Sequence, residues 1–245
     1  MATTIIAARA KLVTGINVFT VSPERRQDLL DTLRAINSEI LRQALPMNVS
    51  ANFHRAIGGS VVINYNQYTD RENIHILRSI PETAPLRKRT HELSESHEIR
   101  WYDVADVVTP NPAVDKIEIS SDGNTIAAIG ILTVKPEKQT EFLALFKTYG
   151  DILSGMKAPG FLGIATHRGD EAAHVATYEQ WQTADAYRSA AELAPVAAVT
   201  NQIRRLTDEG DRQLYDVLDV VRFDLEREAA DARDRESLRR PAKKI

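Results

Sequence analysis

Apolar positions in this chain recur at two spacings that alternate along its length. Thr14–Val21 is a β-branched run closed by Ser22-Pro23, a helix start with Ser as N-cap and Pro at the first helical position. The helix that follows carries Leu29, Leu33, Ile36 and Ile40, one stripe at steps of four, three and four. Val49–Arg55 and Ser60–Tyr68 read as strands joined by a short turn containing Gly58-Gly59. Thr69 to Glu72 has the form of a capping box opening a second helix. A further helical stretch runs through Leu86–Ser94, and a strand at Trp101–Val108 closes the unit. The same order then returns: strand at 126–134, helix at 137–154, strands at 161–168 and 172–181, helices within 184–207, strand at 213–221. The order βαββαβ, met twice, predicts an α+β chain of two tandem ferredoxin-like domains.

The residues themselves repeat with a single offset. FTVSPER at Phe19–Arg25 matches LTVKPEK at Leu132–Lys138, His54-Arg55 matches His167-Arg168, and YDVADVV at Tyr102–Val108 matches YDVLDVV at Tyr215–Val221, each 113 residues on. Pairing 18–108 with 131–221 without gaps gives 19 identities in 91 positions, where chance gives about six. The division that follows is an N-terminal extension at 1–13, a first domain at 14–108, a linker at 109–125, a second domain at 126–222 and a charged helix or tail at 223–245. The linker holds two prolines, an Asp-Gly turn and a short edge strand at Lys116–Ser120. A lone unit of this type leaves one sheet face bare. The two copies are therefore expected to bury those faces against each other as an intrachain pseudo-dimer around a central β-barrel. A homodimer of such pseudo-dimeric chains is a further expectation.

Composition narrows the chemistry. With a net charge of −3 the chain gives no electrostatic reason to expect a nucleic-acid partner. It has no cysteine, which removes disulfides, thiolate metal sites and cysteine nucleophiles. No stretch approaches the roughly 18 apolar residues of a membrane span. The first fifteen residues place their basic groups after the apolar run, the wrong order for a secretory signal. A cytoplasmic protein with no membrane partner is the expectation.

Alternation sorts the third strand of each copy into two faces. Tyr65 and Gln67 share a face, as do Tyr178 and Gln180, so this face is alike in both copies and points to the contact between halves. The other face carries Asn64, Asn66 and Tyr68 against Thr177, Glu179 and Trp181. It differs between the copies and is expected to look towards the helices, where a small-molecule cavity has room to open. The stretch YEQWQTADAYRSA, Tyr178–Ala190, resembles the antibiotic biosynthesis monooxygenase family of dimeric ferredoxin-like α+β barrels, and the resemblance covers both halves. Members acting on aromatic polyketides carry an Asn, a Trp four residues on and a Tyr six beyond. Thr177, Trp181 and Tyr187 stand at those spacings in the second half, and Asn64 and Tyr68 at the first two in the first half, with Ile74 at the third. Neither copy has the full set.

The resemblance implies oxidation of a polycyclic, anthrone- or phenol-like substrate by O₂ without metal, flavin or haem. On that reading Asn64, Tyr68, Trp181 and Tyr187 are the candidate catalytic residues. Asn66, Thr177, Glu179, His54, His167 and His75 are candidates to bind substrate, and the base is His54, His75, His167 or none. Structural roles compete for the same residues. Trp181 and Tyr68 also suit core packing, and the His-Arg pairs suit a contact between halves. His91 and His97 in HELSESH, and Arg87-Lys88-Arg89, read as solvated, the basic cluster also being suited to steering an acidic polyketide; Trp101 reads as core. Three other activities stay open: a non-oxidative polyketide cyclase, a lapsed binding or accessory protein, and a haem-degrading relative using His75 as axial ligand.

Overall fold

The computed structural model describes residues 2–223 apart from positions 44, 46, 73, 172 and 211. The expected C-terminal helix or tail falls, from 224 onward, outside the described residues. In chain order the elements are β1 (Thr3–Ala7), β2 (Val13–Thr20), α1 (Arg26–Arg42), β3 (Asn48–Ala56), β4 (Val61–Tyr68), α2 (Ile74–Ser79), α3 (Ala84–Leu93), β5 (Ser96–Val108) and β6 (Lys116–Ser120). They continue as β7 (Ile126–Val134), α4 (Gln139–Gly155), β8 (Phe161–Gly169), β9 (His174–Trp181), α5 (Ala184–Ala191), α6 (Ala194–Leu206), β10 (Thr207–Glu209) and β11 (Arg212–Arg222). This is the expected α+β pair of βαββαβ units.

Each unit folds a four-stranded antiparallel sheet with its helices on one face, and two long strands weld the sheets into a barrel. β5 pairs with β2 along Ser96–Asp103 and then with β8 of the other half along Tyr102–Val108. β11 likewise pairs with β7 and then with β3. A bulge lies at the same place in both strands, between Val104 and Asp106 and between Val217 and Asp219; such an extra residue sharpens the twist with which a strand leaves one sheet for the next. The ring closes in the order β7-β11-β3-β4-β2-β5-β8-β9, with β9 returning to β7.

The barrel interior is one core made by both halves, with Ile16, Ile63, Tyr65 and Tyr102 meeting Ile129, Ala165, Tyr178 and Tyr215. The pseudo-twofold is visible in its hydrogen bonds. His54 Nε2 lies 3.1 Å from Tyr178 Oη, and His167 Nε2 lies 2.8 Å from Tyr65 Oη.

Two local expectations are corrected. The residues 1–13 and 109–125 are more than extension and linker: β1 and β6 form their own antiparallel ribbon, in which Ile5 faces Glu118, its counterpart at the 113 offset. Gln67 Nε2 donates to Ile5 O of the ribbon and Gln180 Nε2 to Glu118 O, so the ribbon obeys the same symmetry. Its Ile6, Ile117 and Ile119 join the barrel core. In place of a capping box at Thr69, the Asp70 carboxylate accepts the Glu72 N–H at 2.6 Å, and α2 starts only at Ile74.

Candidate active site

The outward faces of the two sheets meet their helices differently. In the first half a cavity of about 490 Å³ lies between β2, β4 and β5 on one side and α1, α2 and α3 on the other. This is within the range of about 300–1,000 Å³ usual for small-molecule sites. Its apolar wall comes from the α1 stripe, Leu33, Ile36 and Ile40, with Phe19 and Ile99 from the sheet. The polar groups also come from regular elements. Asn64, Asn66 and Tyr68 alternate along β4, Asn17 sits on β2, and Asn37 sits one residue past Ile36 on α1. Side chains on helices and strands are held more rigidly than side chains on loops.

Among the described residues, the cavity is lined by two arginines, Arg78 and Arg87, two histidines, His91 and His97, and four asparagines, with no Asp or Glu. Its field therefore favours an anion, although the whole chain is slightly acidic. Asn37 Nδ2 and Asn64 Oδ1 are buried without a hydrogen-bond partner among the described residues. One is a donor and the other an acceptor, and an unmet buried amide group costs free energy unless a bound molecule meets it. Burial raises the Tyr68 phenol above its ordinary range, partly offset by Arg78, so this hydroxyl stays protonated. Arg87 is tied down by Thr83 Oγ1 and by Arg78 O at 2.8 Å. The His97 ring stacks on Phe19, centroids 4.3 Å apart and planes within 4°.

The corresponding space of the second half is filled. At the 113 offset Leu33 becomes Phe146, Ile36 becomes Tyr149, Thr90 becomes Ile203, Asn66 becomes Glu179 and Ile99 becomes Arg212. Glu179, fully buried, accepts from Arg212 at 2.6 Å, from Tyr149 Oη at 3.0 Å and from Trp181 Nε1 at 3.2 Å. The Arg212 guanidinium in turn lies over the Phe146 and Tyr149 rings. Two glycines make this packing fit. A Cβ at Gly150 would stand 2.7 Å from Ile164 Cγ2, so α4 lies closer to its sheet than a residue as large as its counterpart Asn37 permits. A Cβ at Gly130, the counterpart of Asn17, would meet Arg212 Cγ at 2.8 Å.

The residues singled out from sequence thus fall into three places. Asn64, Asn66 and Tyr68 line the first-half cavity together. Thr177, Glu179, Trp181 and Tyr187 gather in the filled second half, where Trp181 is fully buried with Tyr187 edge-on at 5.7 Å. His54 and His167 are buried in the barrel interior, against Tyr178 and Tyr65, on the sheet face away from the helices. Burial there lowers each to a pKa of about 4. His75 is exposed on α2, its Nδ1 2.6 Å from Glu72 O, and is not among the cavity residues.

His91, His97 and Arg87, read from sequence as solvated, line the cavity. β5 begins at Ser96, five residues before the apolar run that marked it, and pairing with β2 sets His97 opposite Phe19. The one available signal was positional: neither histidine has a histidine at its counterpart, which is Arg204 or Gly210. Trp101, read as core, is half-buried; it packs on Tyr68 at 5.7 Å and over Gly15, where a Cβ would stand 2.5 Å from its ring. Among the described residues no three His, Cys, Asp or Glu side chains converge as a metal-binding group.

Comparison with known proteins adds an independent line. Residues 125–199 match the family described as antibiotic biosynthesis monooxygenase. Tetracenomycin-F1 monooxygenase of Streptomyces glaucescens is 34% identical over 80 residues, 33% of this chain and 70% of that protein. A solved anthrone oxidase-like protein superposes with a TM-score of 0.79 at 22% identity, covering 90% of this chain and 97% of its own. A solved regulator of staphylococcal pathogenesis superposes with a TM-score of 0.53 at 10% identity over 84% of this chain and 99% of its own. The two structural likenesses speak for the fold, which the second shows to be shared with a protein described as a regulator.

Proposed function

Because the chain belongs to the antibiotic biosynthesis monooxygenase family, we propose that it is a monooxygenase whose working site is the first-half cavity. The substrate is a polycyclic phenol of the anthrone type, O₂ is the co-substrate, and no metal, flavin or haem takes part. The observation that carries this reading is the contrast between the halves. One copy keeps an open cavity with unmet amide groups, while its twin fills the same space with Phe146, Tyr149 and a buried ion pair.

The side chains suit each task the reaction sets. Loss of a proton from an anthrone leaves an enolate whose carbon passes an electron to O₂. Recombination gives a hydroperoxide, and loss of water leaves the quinone, so one CH₂ and one O₂ become one C=O and one H₂O. Phe19, Leu33, Ile36 and Ile40 offer an apolar wall against which the ring system can pack. Asn37 Nδ2 is placed to donate to the enolate oxygen, and Asn64 Oδ1 to accept from a ring hydroxyl. Tyr68, held protonated, is a further donor at the C-terminal end of β4. Thr177, Glu179, Trp181 and Tyr187 then serve as the packed core of the second half.

Oxygen uptake tests the proposal. Metal-stripped protein given anthrone is expected to consume one O₂ for each quinone formed. Asn37→Ala is expected to lower kcat about 100-fold, the scale of losing one donor that stabilises the charged transition state. Uptake that requires added metal or flavin would remove cofactor independence. Product formed from a polyketide under nitrogen, with no uptake from any phenol, would move the assignment to a cyclase.

A further inference from the structure

We infer that His97 is the proton acceptor of the first-half cavity, with His91 passing the proton on to water; this rests on the reading that the cavity takes a phenol or anthrone. The placement of His97 is the first reason. It stands at the start of β5, directly across from Phe19 on β2, and its ring lines the cavity stacked on that phenyl group. Its Nε2 lies 3.2 Å from Asn17 Oδ1. A carboxamide oxygen only accepts, so the neutral ring carries its hydrogen on Nε2 and keeps the lone pair on Nδ1.

The surroundings keep that lone pair free at neutral pH. Burial lowers the His97 pKa below its ordinary value, and the His91 charge lowers it further. Among the residues lining the cavity, α3 presents Arg87 and His91, α2 presents Arg78, and α1, β2 and β4 present no charged side chain. The neighbouring acidic side chain on its own strand, Glu98, is exposed and paired with Arg100 at 2.5 Å. An imidazole surrounded in this way is a base and not a standing cation. A proton taken from a substrate hydroxyl, or from the CH₂ of the keto form, leaves its electron pair on the substrate. The resulting anion lies among Arg78, Arg87 and the new imidazolium. The His91 ring is 5.1 Å from that of His97, and His91 both lines the cavity and is exposed, which gives the proton an exit.

Packing alone does not account for the pair. The second half keeps the helix with Arg204 at the first position, and at the second it has Gly210, in the break between β10 and β11. The fold therefore stands without the histidines, and they occur only in the half that is hollow.

The ionisation step is separable from oxidation and is read under nitrogen. Anthrone bound to the wild-type protein at pH 7.5 is expected to show the red-shifted absorption band of its anion, fading as pH falls through the His97 pKa. His97→Phe keeps a ring on Phe19; it is expected to bind anthrone within about threefold of wild type but to lose the band at least tenfold. His91→Gln removes a neighbouring positive charge, so the band is expected to fade at a higher pH. His97→Gln repeats the test should the Phe variant fail to fold or to bind. A band unchanged in both His97 variants, or absent from wild type that binds anthrone, overturns the inference. Admitting air then reports separately on the proposed function, since quinone formation without the band would keep the oxidation and discard His97. Anthrone that does not bind at all would overturn both.

Discussion

Two histidines buried in the barrel make acid sensitivity a residue-scale property. His54 and His167 have folded-state pKa values of about 4 against about 6.5 when unfolded. Below pH 6.5 the unfolded chain binds protons that the folded chain does not. The stability they contribute is thus complete above pH 6.5 and is lost as pH falls from there to about 4. Each histidine accounts for up to about 1.4 kcal/mol per pH unit in that window. A thermal melting series from pH 7.5 to 4.5 is expected to slope downward, and His54→Gln with His167→Gln to flatten it; equal slopes would mean the two rings ionise inside the fold. Glu179 gives a second residue-scale expectation. Glu179→Ala leaves Arg212 buried without its carboxylate and is expected to cost about 3–5 kcal/mol in denaturant unfolding.

At the scale of elements, the cavity is a consequence of how far a helix stands from its sheet. α4 carries Phe146 and Tyr149 inward and Gly150 at its closest approach, and packs down. α1 carries Leu33, Ile36 and Asn37 at the same places and leaves a space. Transplanting the filling side chains tests this directly. Leu33→Phe with Ile36→Tyr is expected to abolish anthrone binding by fluorescence titration while leaving the melting temperature equal or higher, because a void is removed rather than a core overfilled. Unchanged affinity would mean that the ligand sits elsewhere.

Much of this was legible in the amino-acid order, and the remainder was hidden for identifiable reasons. The 113-residue offset and the alternation along β4 and β9 were enough to predict two ferredoxin-like units and to separate the Tyr65/Tyr178 face from the Asn64/Thr177 face. The strand at Lys116–Ser120 was also legible from its own pattern. Its partner Thr3–Ala7 was not, because two five-residue strands show their equivalence only when paired. Which half is hollow depends on Leu33 and Ile36 against Phe146 and Tyr149, apolar positions that read alike in any periodicity. His97 was hidden because half of β5 is solvent-facing, so its first residues alternate with Glu98 and Arg100 and look like a polar loop.

As a whole molecule the chain is a dimer made covalent. Tyr65, Tyr102, Tyr178 and Tyr215 share one interior, and Arg34–Asp219 and Arg55–Asp216 tie first-half residues to β11 of the second. Neither half can unfold without exposing the other's core. Calorimetry is expected to show one transition with matching calorimetric and van't Hoff enthalpies, and two separated transitions would mean that the halves are independent. On the proposed assignment one site does the work of two, and this shared interior accounts for it, because the barrel needs the second half only as a wall. The most direct test of that division is a crystal structure of the protein grown with anthrone under nitrogen. The expected result is ring density in the first half, between Phe19 and the α1 stripe and within hydrogen-bonding distance of Asn37 or Asn64, with Phe146, Tyr149 and Arg212 unmoved. Density beside Trp181 with the Glu179–Arg212 pair opened, and an empty first-half cavity, would contradict it.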